Sequence, residues 1–358
     1  PNEKGELVKY RDYYIGKFPE NQNIANSAVD WNGMRWTIVA FPLPESKTGR
    51  MSLLIHESFH RIQPAIGFDS NQEVQCSHLN TEKGRIYLKL ELEALKAALA
   101  SDEPDKHMKN ALLFRQYRQQ LFPDAKNSEN FLDINEGIAE YTGTILCGIT
   151  REELKKYYIS QIDRFYTYPT FVRSFAYFTI PVYGFMMQQS DPAWNLKIGK
   201  KTNLTDFMMT VYKMGPSTID RKEIVKIGKS YNIDAISEFE HDREFRRVEQ
   251  VKKYKVLFLG DSIFKIRLEN MNIGFSPANL VPLDDYGTVY PNLRITDNWG
   301  ILEVDSCGAL VSSNWQQVTV SYPRVITDTM VEGRGWRLKL NSGWKLGKEA
   351  AKCYLIKK

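Results

Sequence analysis

Residues 51–62 read Met51-Ser-Leu-Leu-Ile-His56-Glu57-Ser-Phe-His60-Arg-Ile62. The pattern predicts a helix, stopped by Pro64. On a helix, residues i and i+4 lie one above the other, so His56 and His60 can aim ring nitrogens at one point. Two histidines placed in this way suit a metal ion such as Zn²⁺. Glu57 sits one residue round, where its carboxylate can reach a water at that point without being a ligand itself. The apolar neighbours Leu53, Leu54 and Phe59 fit a helix buried in a domain core. A catalytic zinc site needs three protein ligands and one open position, so a third ligand is expected elsewhere in the chain.

A metzincin would carry Gly at 63 and His at 66, and Gln63 and Ile66 exclude that class. Downstream stands Asn135-Glu136-Gly137-Ile138-Ala139-Glu140-Tyr141. This segment resembles the Asn-Glu-Gly-Phe-Ala type of sequence in the aminopeptidase N-like gluzincins, relatives of thermolysin. The resemblance implies Glu136 as the third zinc ligand. It also implies that Glu140 orients the first histidine through its other ring nitrogen. In that clan a tyrosine stabilises the oxyanion of the tetrahedral intermediate. The matching region is Ser174-Phe-Ala-Tyr177-Phe-Thr-Ile180-Pro-Val-Tyr183-Gly184, and Tyr177 or Tyr183 takes the role.

The resemblance covers about 51–62, 133–143 and 173–195, and the sequence departs from it in three places. The gap from His60 to Glu136 is much longer than the usual near-20 residues. The helices of the insertion are expected to pack beside the cleft. No Gly-Ala-Met-Glu-Asn-like segment is present, so aminopeptidase specificity does not carry over. Ile180 stands where the tyrosine motif has Gly.

Around these motifs the chain is strongly helical. Ile86, Leu90, Leu92, Leu95 and Leu99 recur at helical spacing over 82–100. Further helices are expected at 105–121, 131–141, 151–166, 172–189, 203–213, 219–231 and 234–253, with a turn and polar stretch at 123–130. The β-branched and aromatic run Trp36-Thr-Ile-Val-Ala-Phe-Pro-Leu43 reads as an edge strand, ended by Pro42 and Pro44. A peptide substrate could lie along it. From Lys255-Val-Leu-Phe-Leu-Gly-Asp onward, short β runs alternate with turn residues, as in a small all-β sandwich. The expected fold is therefore α+β: a mainly helical, zincin-like metallopeptidase domain with an edge-strand sheet (1–254), then a β-sandwich-like accessory domain (255–358). Trp299, Trp315, Trp336 and Trp344 of the latter read as core, with a glycan- or partner-binding surface as the other reading.

The 358 residues suit about two domains. Hydrophobic residues at 42% and charged residues at 25% exclude a disordered chain. A net charge of +5, spread along the chain, gives no reason to expect nucleic acid as partner. No apolar run is long enough for a membrane span. The cysteines Cys76, Cys147, Cys307 and Cys353 form no Cys-x-x-Cys pair and read as unpaired thiols. His78, His107 and His241 read as structural or exposed. Because residue 1 is Pro, a processed or cut chain is expected, with export to the periplasm or the extracellular space. The expected activity is zinc-dependent hydrolysis of a peptide or protein substrate, with Glu57 as general base. Two alternatives stay open: a non-catalytic binding protein on a zincin scaffold, and a metal-dependent amidase acting on a non-peptide substrate.

Overall fold

In the computed structural model, residues 7–17, 25–31, 33–68, 74–215, 218–276, 279–349 and 352–357 are described. They fall into two compact units, Phe41–Glu249 and a second made of Pro1–Ala40 with Gln250–Lys358. The division expected was 1–254 and 255–358. The first forty residues group instead with the β region.

The unit Phe41–Glu249 is helical throughout its described residues. Its helices are α1 (Lys47–Ile62), α2 (Glu82–Ala100), α3 (Pro104–Leu121), α4 (Ala125–Leu132), α5 (Ile138–Ile145), α6 (Arg151–Phe165), α7 (Ala176–Met187), α8 (Leu204–Val211) and α9 (Arg221–Gly228). A tenth, α10 (Ile233–Leu259), begins here and crosses the unit boundary. Local chemistry sets many of the starts. Ser46 and Thr81 accept the backbone N–H groups of Gly49 and Gly84, and Thr150 with Glu153 forms a capping box. Pro104 opens α3, where its missing N–H costs nothing. Only three residues join α2 to α3, so the two pack antiparallel along a core that includes Leu88, Leu92, Leu95, Met108 and Leu112. α7 is apolar on all sides and lies in the interior, against α2, α5 and α6.

Three expectations need correction. The edge strand is shorter than 36–43: Met34–Ile38 pairs only with Ser27–Trp31, and this hairpin belongs to the other unit. The helical unit therefore has no strand among its described residues. The polar stretch 123–130 holds α4, because Ala125, Glu129 and Leu132 repeat at helical spacing and turn inward. The apolar run at 255–259 is the last part of α10, not a strand. Val251, Tyr254 and Phe258 recur three and four residues apart and pack on Val281, Leu283, Val289 and Leu310.

In the second unit, two antiparallel sheets hold most of the β residues. One has six strands in the order Val325–Ile326, Met330–Gly333, Trp336–Leu340, Gly300–Val304, Leu293–Asp297, Asn272–Phe275. The other has five, in the order Ile263–Arg267, Gln317–Ser321, Ala309–Val311, Thr288–Tyr290, Val281–Pro282. Ring contacts of Phe264 with Trp336 and of Phe275 with Tyr290 join the two inner faces. Trp299 and Trp336 are core residues, their indole N–H groups donating to the Arg267 carbonyl and Ser321 Oγ. The four cysteines are free thiols. No helix among the described residues is long and apolar enough to cross a membrane.

Candidate metal centre

α1 turns Ser52, His56, Glu57 and Phe59 inward, against α5. The imidazoles of His56 and His60 stand one turn apart, with their Nε2 atoms 2.9 Å from each other. Glu136 comes from a π-helical turn, Asp133–Gly137, inserted between α4 and α5. Such a turn carries an extra residue, shifts the register of the side chains after it and is common at functional sites. Glu136 Oε2 lies 3.7 Å from His56 Nε2 and 3.4 Å from His60 Nε2. The donor atoms of the three residues all fall within 4.8 Å of one another. Two donors at zinc bonding distance in a tetrahedron are separated by about 3.3 Å, so only small side-chain shifts are needed to close this triangle on one ion.

Two glycines allow the approach. A Cβ on Gly143 of α5 would sit 2.7 Å from the Ser52 carbonyl and 3.3 Å from His56 Cβ. One on Gly137 would sit 2.6 Å from Ile180 Cγ1 of α7. Any larger residue would push α1 or α7 away from the helix that carries Glu136 and Glu140.

The outer nitrogens of both imidazoles are held. Glu140 Oε2 is 2.8 Å from His56 Nδ1, and a carboxylate there can only accept, so Nδ1 carries the proton. Gln63 does the same for His60. Its Nε2 donates to the Asn135 carbonyl at 2.8 Å, which leaves Oε1 to accept from His60 Nδ1 at 2.7 Å. Both Nε2 atoms are thereby left as the inward-facing electron pairs. Gln63 also ties the end of α1 to the residue before Glu136.

Electrostatics follow the same geometry. Burial opposes a charged His56, but hydrogen bonds and charge from Glu136 and Glu140 outweigh it and raise its pKa to about 10. His60 is likewise raised: burial opposes its charge and Glu136 overcomes it. Burial also opposes charge on Glu136, yet the two imidazoles hold it well below the usual carboxylate range. The cluster is thus a carboxylate sharing protons with imidazoles, and a cation entering it would displace a proton. Glu57 is 5% exposed, and its pKa is raised by burial against the lowering influence of His56 and His60.

The expected site residues His56, Glu57, His60, Glu136, Glu140 and Tyr177 come together. The Tyr177 ring stacks on His56, with centroids 5.6 Å apart, and its hydroxyl donates to Glu136 Oε2. Tyr183 does not join them. Six residues along α7 rotate it about 240° from Tyr177, and its hydroxyl donates to Glu91 at 3.0 Å. His107 bonds the Tyr231 hydroxyl, and His241 is exposed.

Tyr183 belongs to a fully buried ionic network that sequence reasoning missed. Arg115 reaches Glu91 at 2.8 Å and Asp133 at 2.7 Å, while Arg118 reaches Glu91 and Glu129, each at 2.6 Å. His78 closes on Glu129 at 2.7 Å. Burial pushes Asp133 up to about 7 against the pull of Arg115. Glu129 stays well below the usual range, because Arg118 and His78 outweigh its burial. Asp133 opens the turn that bears Glu136, so the network fixes that turn to α2 and α3. The only sequence signal was weak: arginines and carboxylates on otherwise apolar helix faces. Gln63 carried a clearer one, falling three residues after His60 on the same face.

No protein-family model, curated protein or solved structure matches the chain.

Proposed function

We propose that the protein is a zinc-dependent hydrolase of peptide or related amide bonds, with His56, His60 and Glu136 as metal ligands and Glu57 as general base. One observation carries this reading. Three donor atoms converge while Glu140 and Gln63 occupy the far nitrogens of the two imidazoles. Zinc held there would supply Lewis acidity at the scissile carbonyl and a water of lowered pKa.

Glu57 takes a proton from the attacking water on its carboxylate and passes it to the leaving nitrogen. Burial raises its pKa against the pull of His56 and His60, the direction that suits a group that must hold a proton before releasing it. Glu140 and Gln63 keep the Nδ1 protons in place throughout. Tyr177 is the candidate donor to the developing oxyanion, its hydroxyl already lying at Glu136. The hairpin strand expected to align an extended peptide groups with the other unit, so the amide is not restricted here to a polypeptide.

Turnover of a peptide library and of acylated small amines by metal-loaded wild type and Glu57→Gln tests this. Glu57→Gln is expected to keep its zinc and its melting temperature while losing about 10²–10⁴ of the rate. Equal rates would remove Glu57 from the mechanism. Zinc-loaded protein inert toward every amide would favour a binding role for the scaffold.

A further inference from the structure

The five-stranded sheet has an outer face that α10 covers only in part. Phe258 and Val251 of α10 pack on Val281, Val289 and Leu310. Beyond them the same face continues through Thr319, the register partner of Leu310, to Lys265, the register partner of Thr319. Register partners share a face, so Leu310, Thr319 and Lys265 form a row across three strands. Over this row lies a groove of about 830 Å³, between the end of α10, the 3₁₀ turn Asp284–Tyr286 and the C-terminal strand Lys352–Lys357. That volume is within the range of small-molecule and short-oligomer sites.

The chemistry of its walls is mixed. Phe258 and Leu310 give an apolar floor, and Thr319 and Gln317 add a hydroxyl and an amide. Tyr286 and Tyr354 stand at the rim, 53% and 41% exposed. Lys255 approaches the Tyr286 ring at 5.8 Å and also pairs with Asp284, so it adds no free charge. Lys265 and Asp261 are the two charged residues lining the groove, and they cancel.

We propose that this groove binds a neutral oligosaccharide. A phosphate or nucleic-acid ligand would need an excess of positive charge, which the lining does not offer. The floor, Phe258 with the row Leu310, Thr319 and Lys265, offers side chains. A sugar chain needs what is present: exposed tyrosine rings for its C–H patches, phenol, amide and ammonium groups for its hydroxyls, and no net charge. The residues of this groove belong to the other unit from His56, His60 and Glu136, and the proposal does not depend on the hydrolase reading.

Affinity electrophoresis of the full chain through gels containing xylan, mixed-linkage β-glucan, galactomannan or glycogen, with pull-down on cellulose and chitin, tests the proposal. Wild type is expected to be retained by at least one of these polymers. Tyr286→Ala and Lys265→Ala, both at exposed positions, should weaken that retention about tenfold or more with unchanged melting temperature. Tyr354→Phe, which keeps the ring, should retain most of it. His60→Ala should bind as wild type does. Retention by none of the polymers would overturn the proposal, and so would retention undiminished in Tyr286→Ala and Lys265→Ala.

Discussion

Beside the turn that bears Glu136, Arg115 and Arg118 are wholly buried among Glu91, Glu129 and Asp133. Between the two sheets of the other unit, the interior is Phe264, Ile295, Leu302, Val318 and Leu338, with Asp297 a buried polar residue on the same face as Ile295. The contrast separates two ways of holding a structure. Hydrocarbon packing is tolerant of small shifts and specifies position loosely. Buried ion pairs add little net stability, because desolvation offsets their attraction, but they accept only one geometry. The helical unit places its ionic geometry next to Asp133, three residues before Glu136, where a carboxylate must be positioned closely enough to meet two imidazoles.

The largest effect is expected from breaking the ionic core. Arg115→Ala leaves Glu91 and Asp133 buried without their shared cation, and should destabilise the helical unit by about 3–5 kcal/mol in chemical denaturation. A loss below about 1 kcal/mol would mean that water or neighbouring groups replace the guanidinium, and that the network does not fix the π turn. The matched experiment in the sheets is Leu302→Ala, expected to cost about 2–5 kcal/mol while leaving zinc affinity unchanged. Zinc affinity that fell with it would link the two units more closely than this account does.

A smaller and more local effect is expected at Gln63. Gln63→Ala frees His60 Nδ1 and unties α1 from Asn135, and should weaken zinc about 10–100-fold by competitive chelator titration, with helical circular dichroism unchanged. A further effect is in pH dependence. Without metal, the folded-state pKa of His56 is about 10, above its ordinary 6.5. The raised value means that His56 contributes stability fully below about pH 6.5, and that the contribution fades as pH rises toward 10. The melting-temperature gap between metal-free wild type and His56→Asn should therefore narrow from pH 6 to pH 9. Zinc competes with the same proton, so its affinity should rise over that range. A gap that widened would place the proton elsewhere.

Much of the helical unit was legible in the sequence, because its signals are local. The spacing of Ile86, Leu90, Leu92, Leu95 and Leu99 marks α2, and His56 with His60 marks a face of α1 through nothing more than the helical repeat. The Asn-Glu-Gly-Ile-Ala-Glu segment singled out Glu136 and Glu140 through its resemblance to a known type of sequence, and both carboxylates lie beside the imidazoles, Glu136 from the π turn and Glu140 from α5. What was not legible depends on partners distant in sequence. The apolar run 255–259 suits a strand or a helix equally well, and α10 continues because Phe258 finds Val281, Val289 and Leu310 to pack on. The π turn has no composition of its own. Arg115 and Arg118 look like solvated helix residues until Glu91, Glu129 and Asp133 close on them.

The central claim is that one metal ion is held by two imidazoles and the Glu136 carboxylate. Zinc K-edge X-ray absorption on the metal-loaded full chain reads that set directly. The account predicts two imidazole nitrogens and low-atomic-number oxygen at about 2.0–2.2 Å, with the imidazole scattering reduced in His60→Ala and zinc occupancy falling in Glu136→Ala. A shell without imidazole scattering, or one unchanged in both variants, would contradict it.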